Sequence, residues 1–194
     1  MHEYAPFRIS ELWDYGRGAL TCFAQDAELH TPTHLTVESL TKHAESTLST
    51  YFYLLLSLLN LSSSETFSHA ASHLGVAQNI QVLLRALPYH ASQGRLIIPA
   101  EITARHGVRQ EDVFRRGGNA DGISDAVFEF ATVANDNLLT AREMFKQSGG
   151  GSGAVPRVAM PVFLYGVRRS LFRASAFLEP KAKEKKVFCN RLES

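Results

Sequence analysis

Cysteine is scarce in this chain of 194 residues: Cys22 and Cys189 stand near opposite ends, with no partner at metal-ligand spacing. The pair reads as two reduced thiols rather than a structural disulfide or a cysteine-built metal site. An excess of one charge is missing too, since twenty Lys and Arg face nineteen Asp and Glu. A general nucleic-acid binder needs many uncompensated cations against phosphate, so that class is excluded, although a local basic face is not. Period-two alternation is nearly absent; only Arg95–Pro99 resembles a strand, and it is short. The opening "MHEYAPFRISELWDYGRGAL" lacks the basic start and apolar core of a signal peptide. Glu3, Glu11 and Asp14 also interrupt any basic amphipathic transit pattern. A chain that needs no leader and a chain without its true beginning both fit.

What is present is helical. With 45% hydrophobic and 20% charged residues, the composition is that of a globular domain with a sizeable core. Apolar residues recur at helical spacing from Ile9 to about Ala27, through Leu12, Trp13, Tyr15, Ala19, Leu20 and Phe23. Pro32 interrupts, and a second helix is expected over Val37–Leu61. No charge occurs from Ser46 to Ser64, but the strongly apolar part spans only Tyr51–Leu61. At helical rise that falls short of a bilayer core, which favours a central buried helix and leaves peripheral membrane contact open.

Ser62–Glu65 forms a turn and a cap for a third helix, expected from about Thr66 to Leu87 with Pro88 as its stop. Leu74, Ala77, Ile80, Leu84 and Leu87 mark its core stripe, and Gly75 either admits a neighbouring helix or weakens the turn. A short helix opens at Pro99–Glu101, Gly107 breaks the chain, and Asp112 starts another brief turn. Ile123, Val127, Phe130, Ala134, Leu138, Ala141 and Phe145 then describe a long helix buried on one side. "SGGGSGAVP" reads as a flexible linker over 148–156, after which a last helix docks back onto the same core. The organisation is therefore an N-terminal helix in 1–28, an all-α domain over 29–178 and a lysine-rich tail over 179–194. That tail is a solvated cluster or a contact for anionic lipid.

The stretch "HLGVAQNIQVLLRALPYHASQGRLIIPAE" resembles the second signature of the squalene and phytoene synthase family. The resemblance implies an isoprenoid-synthase-like helical bundle. Its enzymes join two prenyl diphosphates head to head, using magnesium held by two aspartate-rich helices. The family pattern is roughly G-x-A-x-Q-x-x-N-x-x-R-D-x-x-E-D, then G-R-x-Y-x-P and an acidic residue. Gly75, Ala77, Arg85, Gly94, Arg95, Pro99 and Glu101 match it. Asn79 holds the glutamine position, Val82 the asparagine position, and Ala86, Tyr89 and His90 the carboxylate positions. Leu84-Arg85-Ala86-Leu87-Pro88-Tyr89-His90 resembles the version found in the family's non-enzymatic mitochondrial branch, which assists early assembly of respiratory complex I. That likeness covers roughly Leu29 to Phe177. It implies complex I subunits or assembly intermediates as partners, and peripheral contact with the matrix side of the inner membrane. Departures are the glycine-rich insertion at Ser148–Gly153, the lysine-rich end, and no D-x-x-x-D helix upstream, since Asp14 and Asp26 lack that spacing. The implied bundle therefore lacks its N-terminal helices.

Chemistry at this motif fails on ligand type. Magnesium needs hard oxygen ligands to neutralise a diphosphate leaving group. Ala86 offers none, Tyr89 is neutral and poor, and His90 suits softer metals. No catalytic residue, metal or cofactor is assigned. An isoprenoid transferase with a displaced metal site and a prenyl-lipid-binding module stand as the rivals. Arg85 is read either as paired with a glutamate on another helix or as a phosphate contact, with Arg95 assisting. His69 and His73, spaced i,i+4, can share a helix face, but no third ligand is evident. Glu38, Glu45 and Glu129 are scattered over different helices. Asn135-Asp136-Asn137 is a solvated face or a polar cavity wall, and "RRSLFR" a membrane-facing, partner-facing or internally paired helix.

Overall fold

The computed structural model describes residues 34–148 and 155–169. Among them the architecture is all α-helical, with no strand. The elements are α1 (Val37–Ala44), a π segment (Glu45–Ser49), α2 (Thr50–Leu58), α3 (Glu65–Ser92), α4 (Ala100–Arg105), α5 (Gln110–Arg116), a 3-10 turn (Gly117–Asn119), α6 (Ile123–Ser148) and α7 (Met160–Arg169). The expected helix over Ile9–Ala27, most of the glycine-rich linker and the lysine-rich tail lie outside the described residues.

α3 is the axis of the molecule. It packs most extensively against α6 and also touches α1, the π segment, α2, α5 and α7. Its middle is buried on all sides, from Leu74 through Gln81. Two apolar clusters form along it. The first joins Leu40 of α1 and Ile80, Leu84 and Leu87 of α3 to Ile98, Ile102, Val113, Ile123 and Phe130. The second joins Phe52 and Leu56 of α2, Ala70 and Leu74 of α3, Ala141 and Phe145 of α6, and Val162 and Phe163 of α7. α7 docks through Phe163, which meets Phe67 in a tilted contact at 6.4 Å and Phe145 nearly perpendicular, with ring centroids 4.8 Å apart. Edge-to-face geometry of this kind puts a positive ring rim on a negative ring face.

Three expectations are corrected here. The Val37–Leu61 helix is interrupted by the π segment and ends at Leu58. Its sequence, Glu-Ser-Thr-Leu-Ser, supplies the cause. Ser46 and Thr47 hydroxyls donate to the His43 carbonyl at 2.9 and 2.8 Å, and Thr50 donates to the Glu45 carbonyl at 3.1 Å. Hydroxyls that bond the preceding turn loosen the regular ladder and admit an extra residue.

The second correction concerns Pro88, which does not stop α3. The helix continues through it to Ser92. Proline removes one amide donor, for the Leu84 carbonyl, but tertiary packing of Leu84, Leu87 and Ala91 into the first cluster holds the turn. The actual stop is Gly94, at φ +70°, where Gly94 N donates to the Ala91 carbonyl and Arg95 N to the His90 carbonyl, at 3.0 and 2.9 Å. That is a Schellman ending, which favours glycine at the left-handed position. The third correction is that the strand-like Arg95–Pro99 is not a strand but a connector, buried from Leu96 to Pro99. Beyond it, Ala100 and Glu101 donate backbone bonds to His34 and Leu35 carbonyls at 3.1 and 3.0 Å.

Candidate functional site

The motif residues fall along α3, whose geometry decides which of them share a face. Steps of three and four place Gly75, Asn79, Val82, Ala86 and Tyr89 on one stripe. At its upper end Gly75 meets the π segment. A side-chain carbon there would lie 2.2 Å from Ser49 Oγ and 2.7 Å from the Ser49 amide nitrogen. Glycine is therefore required by the close approach of two backbones. Ser49 Oγ fixes the crossing by donating to the Ser72 carbonyl at 3.1 Å.

Along the stripe the environment changes. Asn79 is buried, as is Ala77 off the stripe, while Val82 is 40% exposed and Tyr89 67% exposed. Ala86 and His90 are half-buried. Because helix continues through Pro88, Ala86 and His90 are separated by one turn, and the Tyr89 and His90 rings contact edge-on with centroids 5.6 Å apart. Arg85 and Arg95 are exposed, and neither forms an ion pair with a described residue. The glutamate partner expected for Arg85 is not found there. Pro99 is buried, while Glu101 accepts from Arg105 Nη2 at 3.3 Å.

The donor set does not fit magnesium. Ala86 brings no donor atom, Tyr89 a phenol and His90 an imidazole, where a hard divalent ion asks for carboxylate oxygens. Among the described residues, no group of three His, Cys, Asp and Glu could hold a metal ion. The other candidates are dispersed. His69 lies 3.5 Å from Glu65, while His73 Nδ1 lies 2.9 Å from Asn137 Oδ1 on α6. Glu38 pairs with Lys42 at 2.9 Å, and Glu45 accepts from Ser72 Oγ at 3.2 Å. In the Asn135–Asn137 run, Asp136 is exposed, but Asn137 links α6 to α3 through His73.

Two features escape sequence reasoning. One is the partner at Gly75: the close approach of a neighbouring helix is one of its two readings, but Ser49 of the π segment as the residue it admits is not legible. The other is a polar knot where Glu129 of α6 accepts from Arg105 and lies 2.7 Å from His106 Nε2. The knot is held by Gly122, at φ +75°, where a side-chain carbon would sit 2.3 Å from the His106 carbonyl oxygen. Of its parts the sequence shows only the chain break at Gly107. Gln78, nearly fully buried, leaves its Oε1 without a hydrogen-bond partner among the described residues. A buried acceptor of this kind is costly where water cannot reach it.

Comparison with known proteins bears on this arrangement. Residues 17–179 match the family described as squalene/phytoene synthase. The chain is 35% identical over 143 residues to "NADH dehydrogenase (ubiquinone) complex I, assembly factor 6" of Homo sapiens, covering 74% of this chain and 40% of that protein. The corresponding homolog of Drosophila melanogaster is 37% identical over 138 residues, 70% of this chain and 39% of that protein. The homolog of Dictyostelium discoideum is 29% identical over 128 residues, covering 66% and 34%. The chain thus spans about two-fifths of the length of the human and fly relatives.

Proposed function

The chain belongs to the squalene/phytoene synthase family, and we propose that it acts there without catalysis, as a helper in assembling respiratory complex I. What supports this reading is that Ala86, Tyr89 and His90, which the resemblance sets at the family's carboxylate positions, lie on the last turns of α3, while Gly75 admits the π segment and Gly94 ends the helix. Without hard oxygen ligands, a diphosphate leaving group has no counter-charge, and ionisation of a prenyl diphosphate at this motif is not assisted. Relatives whose names give complex I assembly as their role support the choice of partner.

In the proposed setting the chain works in mitochondria, early in assembly, and touches the matrix side of the inner membrane peripherally. Its working unit is the helical domain over 29–178. No helix among the described residues is long and apolar enough to cross a membrane. The test is affinity capture of the tagged chain from mitochondria. Complex I subunits or their assembly intermediates are expected in the eluate, and their consistent absence overturns the reading. The isoprenoid-transferase rival is tested with purified chain, magnesium or manganese and labelled prenyl diphosphate. Turnover that disappears in Arg85→Ala would replace the assembly role with an enzymatic one.

A further inference from the structure

Over Met160–Leu164, α7 carries apolar side chains both toward the core and toward solvent. Val162 and Phe163 face the core, yet Leu164 is 53% exposed, Met160 36% and, just before the helix, Val158 61%. An edge helix normally turns polar residues outward, so this outer face calls for a cover. α2, which packs on α7, repeats the pattern: Phe52 and Leu56 are buried while Leu58 is 66% exposed and Tyr51 43%. Both exposed sets belong to helices that enclose the second apolar cluster.

Charge identifies the cover. Across Ser46–Ser64 the sequence has no charged residue, and across 154–178 it has Arg157, Arg168, Arg169 and Arg173 with no acid. From 154 to the end there are nine cations against three acids, so the preceding 153 residues carry a net negative charge although the whole chain is formally +1. Arg157 is exposed and makes no ion pair with a described residue. The acids of neighbouring elements are engaged, Glu143 with Lys146 at 3.1 Å and Glu65 with His69 at 3.5 Å. Apolar side chains beside cations of one sign match a surface with phosphates outside and acyl chains beneath.

We propose that the α2–α7 end of the molecule rests on an anionic phospholipid surface, with Leu58, Met160 and Leu164 entering the headgroup boundary and Arg157 meeting phosphate. The proposal rests on the peripheral-membrane part of the functional reading and is independent of the complex I partner. It is tested by sedimentation of the purified 194-residue chain with phosphatidylcholine vesicles, plain or doped with an anionic phospholipid. The chain is expected to bind the anionic vesicles and to be released by salt. Leu58→Glu with Leu164→Glu lowers binding by about tenfold or more, and Arg157→Gln by about fivefold. Val82→Glu, on the motif stripe, leaves it unchanged. Circular dichroism of each variant confirms that the helices persist. Unaltered binding by the double variant, or no binding by the wild-type chain, overturns the proposal. Should the tagged chain still sediment with mitochondrial membranes in that case, peripheral attachment survives but through another surface or a membrane protein. If it stays in the soluble fraction, the attachment falls as well.

Discussion

The two apolar clusters share one central helix but are finished differently. The first, built around Ile80, Leu84, Ile98 and Phe130, is closed by hydrogen-bonded turns at Gly94, Gly107 and Gly122 and by the Glu129 knot. The second, around Phe52, Phe145 and Phe163, is closed by a ten-residue helix that leaves aliphatic side chains in solvent. Turns with satisfied backbone groups can meet water directly, whereas an uncovered aliphatic face gains from another surface. The contrast teaches that, among the described residues, the first cluster is finished by paired backbone and the second by a helix that leaves aliphatic side chains in water.

Substitutions can break or sharpen that contrast. The largest effect is expected from Phe130→Ala, which empties a fully buried ring site and should cost about 4 kcal/mol in urea unfolding. Phe163→Ala, at the open end, should cost about 3 kcal/mol at most, because a short helix can resettle over the gap. Equal losses at both sites would erase the distinction. Next comes Gly75→Ala, between the clusters, where the added carbon collides with Ser49 backbone as well as its hydroxyl. A loss of about 2 kcal/mol is expected, and a neutral result would mean the helices do not cross there. Smallest, and opposite in sign, is Pro88→Ala. Restoring an amide donor inside a continuous helix should stabilise by about 1 kcal/mol, read as a raised melting temperature. A proline placed at a true helix end would give no such gain.

Much of the fold was legible because helical periodicity is a local signal. The stripe Ile123, Val127, Phe130, Ala141 and Phe145 is buried as its spacing requires, and Ala134 and Leu138 flank it half-buried. Pro88 misled because its local penalty is opposed by packing from both neighbouring turns, a tertiary term that no window of sequence contains. The π segment was hidden for a related reason. Ser and Thr at helical positions are compatible with a regular helix, and only their bonds back to His43 and Glu45 disclose the extra residue. The motif stripe could be placed on α3 from spacing, but the partners of His73 and Glu129 could not, since Asn137 and His106 lie 64 and 23 residues away.

The last two turns of α3 bear one further lesson. Leu84, Leu87 and Ala91 are buried there, while Arg85 and Tyr89 stand in solvent and Ala86 and His90 lie at the margin. Core packing and the variable motif positions thus lie on different flanks of one rod. A lineage can exchange residues on the outer flank without dislodging the inner, so a catalyst built this way is able to lose its reaction and still keep its shape.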